Sequence, residues 1–246
     1  MLAIIIQARM GSVRLKGKVL KQIYEEKTIL DFIINNLKKI NHKIIIATTK
    51  SSSDKEIVEK AKFHNVEYYC GDEDNVLRRF IECARTYDVS EIIRVTADNV
   101  FIQPYFVNQI INMNKSSLDY ISFKIGTQNT VLMHLGLFCE FATLNALEKV
   151  ASKTSNKKDL EHVTYYIYNH PREFKIKYLE VPKELHRNDI RLTIDTMEDF
   201  EICKNIIYYL KQNEIQWHYN NILNYIKSKP KLLEQMKRNI IKMKKN

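Results

Sequence analysis

The chain has 246 residues, 45% hydrophobic and 28% charged, which is enough to bury one sizeable core and is ordinary for a soluble globular protein. No apolar run approaches the roughly 18 residues that a membrane span needs. The net charge of +10 would suit a nucleic-acid binder, but residues 227–246 carry eight basic side chains and one acid, or +7 of that total, so a solvated lysine-rich tail is expected and no specific nucleic-acid partner.

The opening run, LAIIIQ at 2–7, is too short for a signal peptide and reads as a strand buried on both faces. A polar stretch with Gly11 and Gly17 follows. Thr28 then caps a helix over 29–40, KIIIAT at 43–48 forms the next strand, and Ser53 or Asp54 opens a helix to about 64. VEYYC at 66–70 is a strand, Asp72 or Asp74 starts a helix to about 87, and EIIRVT at 91–96 is a fourth strand. Pro104 opens a helix to about 114, and DYISF at 119–123 is a fifth strand. Beyond 124 the pattern is mixed. Expected there are a strand near 133–141, helices near 143–152 and 159–170, a strand near 173–181 and a helix near 197–212. Two further helices, 218–228 and 230–244, close the chain.

This rhythm predicts an α/β fold with a mixed, mostly parallel sheet, helices on both faces and right-handed crossovers. Residues 1–212 would form the main domain and 213–246 a basic helical extension, pinned by Trp217 and Tyr219. The four cysteines, Cys70, Cys83, Cys139 and Cys203, form no CxxC pair and read as buried free thiols of a cytoplasmic protein. Tyr165, Tyr166, Tyr168, Tyr208 and Tyr209 fall on expected helices and read as packing residues.

Of only five glycines, two lie in the stretch Gly11-Ser-Val-Arg-Leu-Lys-Gly17 directly after the first strand. In a parallel α/β sheet, ligands bind at the carboxyl ends of the strands, where glycines let backbone N–H groups approach phosphate oxygens. Arg9, Arg14 and Lys18 add three cations to the same loop, which suits a polyphosphate. The spacing is neither that of a Walker A loop nor of a GxGxxG loop. Asp98 follows the fourth strand at the same edge of the sheet. A carboxylate facing phosphates needs a cation between them, and Mg²⁺ is the usual one. Asp195, in Arg191-Leu-Thr-Ile-Asp195-Thr196, also ends a short apolar strand and is the second candidate ligand.

These residues carry a family resemblance. Gln7-Ala-Arg9-Met-Gly11-Ser-Val-Arg14-Leu-Lys-Gly17-Lys18, Gly71-Asp-Glu-Asp74-Asn-Val-Leu, Arg94-Val-Thr-Ala-Asp98, Asp159-Leu-Glu161-His162-Val-Thr and Arg191-Leu-Thr-Ile-Asp195-Thr-Met-Glu-Asp199 occur in the order of motifs in SpsF-like cytidylyltransferases. This branch is associated with spore-coat and surface polysaccharides and is related to the CMP-Kdo and CMP-sialic acid synthetases. The resemblance implies a three-layer α/β/α nucleotide-diphospho-sugar transferase fold, GT-A-like and Rossmann-like. It also implies transfer of CMP from CTP to a sugar, sugar acid or sugar phosphate with release of pyrophosphate.

By the same resemblance Gln7, Ala8, Arg9, Met10, Gly11, Ser12, Arg14, Lys18, Thr96 and Ala97 bind the nucleotide. Backbone groups near Ala8 and Met10 would read the base. Arg9, Lys18 and Asp98 act in catalysis, Asp98 and Asp195 hold Mg²⁺, and Glu140, Glu161, His162 and Arg191 face the acceptor. A homodimer is a further expectation. The family's GLDVE block appears as Gly136-Leu-Phe138-Cys-Glu140, so Phe138 replaces an aspartate and implies a less polar acceptor or lost activity.

Two rival readings come from other classes. A GT-A-like glycosyltransferase would use Asp72-Glu73-Asp74 on a metal and a ready-made nucleotide sugar. A non-catalytic nucleotide-binding scaffold would use the basic tail.

Overall fold

Why the first strand is central follows from its residues. Ile4 and Ile6 point to one face of the sheet, Ala3 and Ile5 to the other, and all four are fully buried. Each isoleucine side chain removed from water contributes about 2 kcal/mol. The computed structural model describes residues 1–244; Lys245, one of the tail's basic residues, lies outside them.

In chain order the elements are β1 (Leu2–Gln7), β2 (Gln22–Tyr24), β3 (Lys27–Thr28), α1 (Ile29–Leu37), β4 (Lys43–Thr49), α2 (Lys55–Phe63), β5 (Glu67–Gly71), α3 (Val76–Thr86), β6 (Glu91–Thr96) and α4 (Pro104–Ile111). There follow β7 (Tyr120–Ile125), β8 (Gln128–Asn129), β9 (Glu140–Thr143), α5 (Leu144–Lys153), α6 (Lys157–Glu161), α7 (Tyr165–Asn169), β10 (Ile176–Glu180), α8 (Met197–Gln212), α9 (Tyr219–Lys227) and α10 (Pro230–Lys244).

The sheet runs β10-β7-β9-β6-β1-β4-β5, with β8 attached to β7. β1 pairs in parallel with both β4 and β6, and β5 continues the parallel set. β9 is antiparallel to β6 and β7, while β10 is parallel to β7, so β9 and the short β8 are the reversed strands. One face carries the core of α1, α2, α4, α8 and α9, the other that of α3, α5 and α7. The expected mixed, mostly parallel sheet between two helical layers is therefore what forms. Trp217 packs on Phe32 and Phe101, with ring centres 5.6 and 5.2 Å away, and Tyr219 stacks on Phe106 at 5.7 Å. These contacts hold α9 on the domain.

Several local expectations fail for physical reasons. The expected strand near 133–141 is a strand only from Glu140. Gly136 sits at φ 61°, where a side chain is strained, and a Cβ there would lie 3.0 Å from the Leu192 carbonyl oxygen. The segment is thus bent against residues 190–195. That run is not a ladder strand either, although Leu192 N donates to His134 O at 2.8 Å and Ile194 N to Asp98 O at 3.0 Å. The expected helix over 159–170 breaks into α6 and α7 at Val163, whose φ is 49°. The hairpin β2–β3 was not expected, and its strands are too short to show a period of two.

α1 begins with a capping box formed by Thr28 and Asp31. Asp31 is buried and also receives His64 Nε2 at 2.7 Å and Lys60 Nζ at 2.8 Å. Burial alone would raise its pKa, but the hydrogen bonds from His64, Lys60 and Thr28 outweigh that and hold it far below 3.8. The folded pKa is the depressed one, so this carboxylate's stabilisation is present above the unfolded value and drains away as pH falls through it. Asp31→Asn should therefore cost about 2 kcal/mol at neutral pH and progressively less as pH falls below 3.8 toward the folded value. Urea midpoints measured across that range check this, and a pH-independent deficit would refute it.

Candidate active site

The loop after β1 is built by its own backbone. Ser12 N and Gly17 N both donate to Met10 O, at 2.8 and 3.0 Å. Gly17 takes φ 66°, where a Cβ would meet the Met10 side chain. Met10 N donates to Asp54 Oδ1 at 2.8 Å, while Asp54 Oδ2 accepts from Thr48 Oγ1, Thr49 N and Thr49 Oγ1. Sequence reading assigned Asp54 only to the start of a helix; it is also the post that ties the loop to the end of β4.

A second loop, 72–75, leans over the first. Arg9 NH1 donates to Glu73 O at 3.0 Å, and a Cβ on Gly11 would lie 3.1 Å from Glu73 Oε1. Arg79 holds this loop from below. It is fully buried and donates from NH1 to Asp72 O at 2.7 Å, while its Nε and NH2 have no partner among the described residues. Desolvation, with Arg9 nearby, pulls its pKa down to about 10. No motif signalled it. Asp72 Oδ1 accepts from Asp74 N and Asn75 N, so this carboxylate shapes the turn, which disfavours the Asp72-Glu73-Asp74 metal reading.

The cations of the first loop converge on Asp195. Arg14 NH2 lies 3.1 Å and Lys18 Nζ 3.2 Å from Asp195 Oδ1, and Arg191 NH2 lies 2.8 Å from Oδ2. Lys18 also donates to Ile194 O. Burial pushes the Asp195 pKa up, but Lys18, Arg14 and Arg191 prevail and hold it below the usual carboxylate range. Asp98 accepts from Thr96 Oγ1, and its backbone oxygen accepts from Ile194 N, so the two aspartates are carried by adjoining chain segments.

Asp98 and Asp195 line one cavity of about 370 Å³, together with Thr96, Arg94, Glu140 and His162. Its deeper wall is a buried network. Arg94 NH1 pairs with Glu140 Oε2, and Arg94 NH2 donates to Gln7 Oε1 at 3.0 Å. Tyr120 OH and Thr164 Oγ1 both donate to Glu140 Oε1. Desolvation, partly offset by Glu161, lowers the pKa of the exposed His162 below its ordinary value.

The structure thus brings together Arg14, Lys18, Thr96, Asp98, Asp195, Glu140 and His162. Gln7, Arg9 and Met10 stand at the same edge through their partners. Ala8 and Ala97 are buried where β1 and β6 end, and Ala97 N donates to Gln7 O at 3.0 Å. Gly11 is exposed and Ser12 half-buried on the loop.

Two acceptor-side expectations are placed differently. Glu161 is exposed and lies outside the cavity lining. Arg191 is fully buried behind Asp195, where its guanidinium is committed to Asp195, Asp199 and His134. Phe138 joins Phe106 and Phe123, at 4.6 and 5.3 Å between ring centres, so that position presents no carboxylate.

Sequence reading missed Thr130, His134, Lys158 and Thr193 in the cavity wall, and it took Tyr165 and Tyr168 for packing residues although both line the cavity. Lys158 Nζ donates to Tyr165 OH at 2.8 Å and lies 4.2 Å from the ring centre. Tyr166, Tyr208 and Tyr209 do pack, on His170, Tyr24 and Tyr225.

A glycine loop rich in cations, facing two aspartates across the carboxyl edge of a mostly parallel sheet, is the layout of a nucleotide-handling transferase. The chain belongs to the cytidylyltransferase family, whose sequence profile matches residues 3–229. It is 40% identical over 221 residues to an uncharacterised protein of Methanocaldococcus jannaschii, covering 89% of this chain and 84% of the relative. It is 32% identical over 219 residues to the spore coat polysaccharide biosynthesis protein SpsF of Bacillus subtilis, covering 85% and 87%. Among solved structures, a cytidylyltransferase from Leptospira borgpetersenii serovar Hardjo-bovis aligns at a TM-score of 0.83 and 30% identity, over 94% of this chain and 96% of that one. No helix among the described residues is long and apolar enough to cross a membrane.

Proposed function

We propose that this cytidylyltransferase moves CMP from CTP to a sugar, sugar acid or sugar phosphate, for surface polysaccharide or glycan synthesis. The observation that carries the reading is the meeting of Arg14 and Lys18 with Asp195, which lines one cavity together with Asp98, Arg94, Lys158 and His162. Phosphates would take the loop cations that Asp195 now neutralises. The acceptor would occupy the side lined by His162, Lys158 and the two tyrosines.

An acceptor oxygen then bonds to the α-phosphorus, the bond from that phosphorus to the bridging oxygen breaks, and pyrophosphate leaves with the electron pair. His162, which lines that side, would take the hydroxyl proton. Arg9, Arg14 and Lys18 would bind and orient the phosphates, and most of the rate would come from positioning and charge neutralisation.

The residues fit a divalent cation. Asp98 and Asp195 are hard oxygen donors, Asp195 is held ionised, and Asp98 Oδ2 accepts no hydrogen bond among the described residues. These residues contain no group of three or more His, Cys, Asp or Glu arranged for a metal, so the phosphates would complete the shell, as is usual for Mg²⁺. When bound, Mg²⁺ would neutralise the charge that develops on the phosphates.

Calorimetric titration of CTP, with ATP, GTP and UTP beside it and with and without Mg²⁺, tests the reading. CTP-selective binding that requires Mg²⁺ is expected, followed by pyrophosphate release once a sugar acceptor is supplied. Failure to bind any of the four nucleotides would sink it.

A further inference from the structure

The family match closes at residue 229, and α10 begins at Pro230. By charge this segment reads as a solvated tail. In the fold it lays Met236, Asn239 and Ile240 against the domain, buried on α8 and α9, and leaves Lys231 and Lys242 exposed.

It also reaches the candidate site at two points. Asn239 Nδ2 donates to Asp199 Oδ1 at 3.1 Å. Asp199 accepts Arg191 Nε and NH2 at 2.8 and 2.9 Å, and Arg191 NH2 donates in turn to Asp195 Oδ2 at 2.8 Å. One turn further on, Met243 Sδ lies 3.4 Å from Arg14 NH1, while Arg14 NH2 holds the other oxygen of Asp195. Each oxygen of one site carboxylate is therefore held by an arginine that α10 reaches, Arg14 directly on Oδ1, beside Lys18, and Arg191 through Asp199 on Oδ2.

Asp199 explains why an amide at position 239 matters. Its Oδ2 caps the start of α8 by accepting Asp195 N and Thr196 N, which fixes one oxygen. Among the described residues its Oδ1 accepts from Arg191 and Asn239. Without the amide, Oδ1 keeps only Arg191 Nε, and the Arg191–Asp199 pair loses the contact that ties it to α10. A carboxylate at 239 would repel Asp199, and an apolar group would leave a buried oxygen lacking one partner.

We propose that α10 is a working part of the nucleotide site. Asn239 is a positioning residue that sets Asp195 through Asp199 and Arg191, and Met243 sets Arg14 on the phosphate loop. The inference rests on the proposed function, because it takes Asp195 and Arg14 to face the CTP phosphates and their cation.

The test is calorimetric titration of CTP in the presence of Mg²⁺, with the melting temperature of each nucleotide-free variant measured beside it. Asn239→Leu keeps the branched four-atom shape of the side chain and removes the donor, and it should raise the Kd about tenfold, the ratio equivalent to about 1.4 kcal/mol. Asn239→Gln should recover part of that loss. Met243→Ala, on a half-exposed turn, should also weaken binding without lowering the melting temperature, and this result does not depend on the Asn239 variants folding. Ile240→Ala loosens the same helix but keeps both contacts; it should lower the melting temperature and leave the Kd unchanged. Wild-type affinity in both Asn239→Leu and Met243→Ala would overturn the proposal, as would a Kd shift in Ile240→Ala equal to that of Asn239→Leu. If the unaltered protein binds no CTP, the functional reading falls, and this inference with it.

Discussion

Glu140→Gln should destabilise the protein by about 3–5 kcal/mol, because it leaves the Arg94 guanidinium buried without a counter-charge. Arg94 and Glu140 are 8% and 5% exposed, so the pair is largely desolvated. With the amide oxygen turned to Arg94, the NH2 group would face Tyr120 OH and Thr164 Oγ1, which now donate to Glu140 and would have to turn their lone pairs toward it. For a chain of this length a loss of that size lowers the melting temperature by roughly 10 °C. Removing both charges together, as in Arg94→Met with Glu140→Leu, should restore much of the stability, since replacing a buried pair by apolar groups costs far less than breaking it. Denaturant unfolding of the two single variants and the double variant decides the matter. A single-variant loss below about 1 kcal/mol would show that the pair is weakly coupled.

Asp98→Asn should reduce CTP affinity in the presence of Mg²⁺ about 100-fold while leaving the metal-free affinity nearly unchanged. That ratio corresponds to about 2.7 kcal/mol, within what a metal bridging carboxylate and phosphate supplies. The fold should be retained, because asparagine can still accept the Thr96 hydroxyl that Asp98 Oδ1 accepts now. Calorimetry at several Mg²⁺ concentrations separates the two affinities. A wild-type response to Mg²⁺ would remove Asp98 from the metal site.

The parts of the site that were legible in the sequence are those whose signal is local. Gly11, Arg14, Gly17 and Lys18 lie within one turn after a strand that is apolar on both faces, and Asp98 lies just beyond another. A strand's carboxyl edge can be found from its own hydrophobic run, and the residues that follow it are then placed. Asp195 was legible for the same reason, although the segment before it forms no ladder.

What could not be read depends on partners distant in sequence. Glu140 meets Arg94 across 46 positions, and Gln7 meets Arg94 across 87. Neither pairing leaves a periodic trace. Tyr165 and Tyr168 were misread because a tyrosine facing a cavity and one facing a core share the same helical spacing. Arg191 and Arg79 were opaque in another way. A buried arginine looks like a surface arginine until the fold supplies Asp199 for one and a pair of loop carbonyls for the other. The sequence of α10 is equally amphipathic whether its apolar side meets solvent, a partner or α8, so its approach to Arg14 had no sequence counterpart.

The reversed strand β9 has a consequence for the order of assembly. It sits between β6 and β7, yet it follows both in the chain. A chain emerging from the ribosome would therefore hold a four-residue gap flanked by two open edges until Glu140–Thr143 arrives. The residue that opens this strand also brings the counter-charge for Arg94. Closing the sheet and neutralising its buried cation are then one event, and its pairing of Arg94 with Glu140 across 46 positions is a non-local contact whose loop-closure entropy favours late formation.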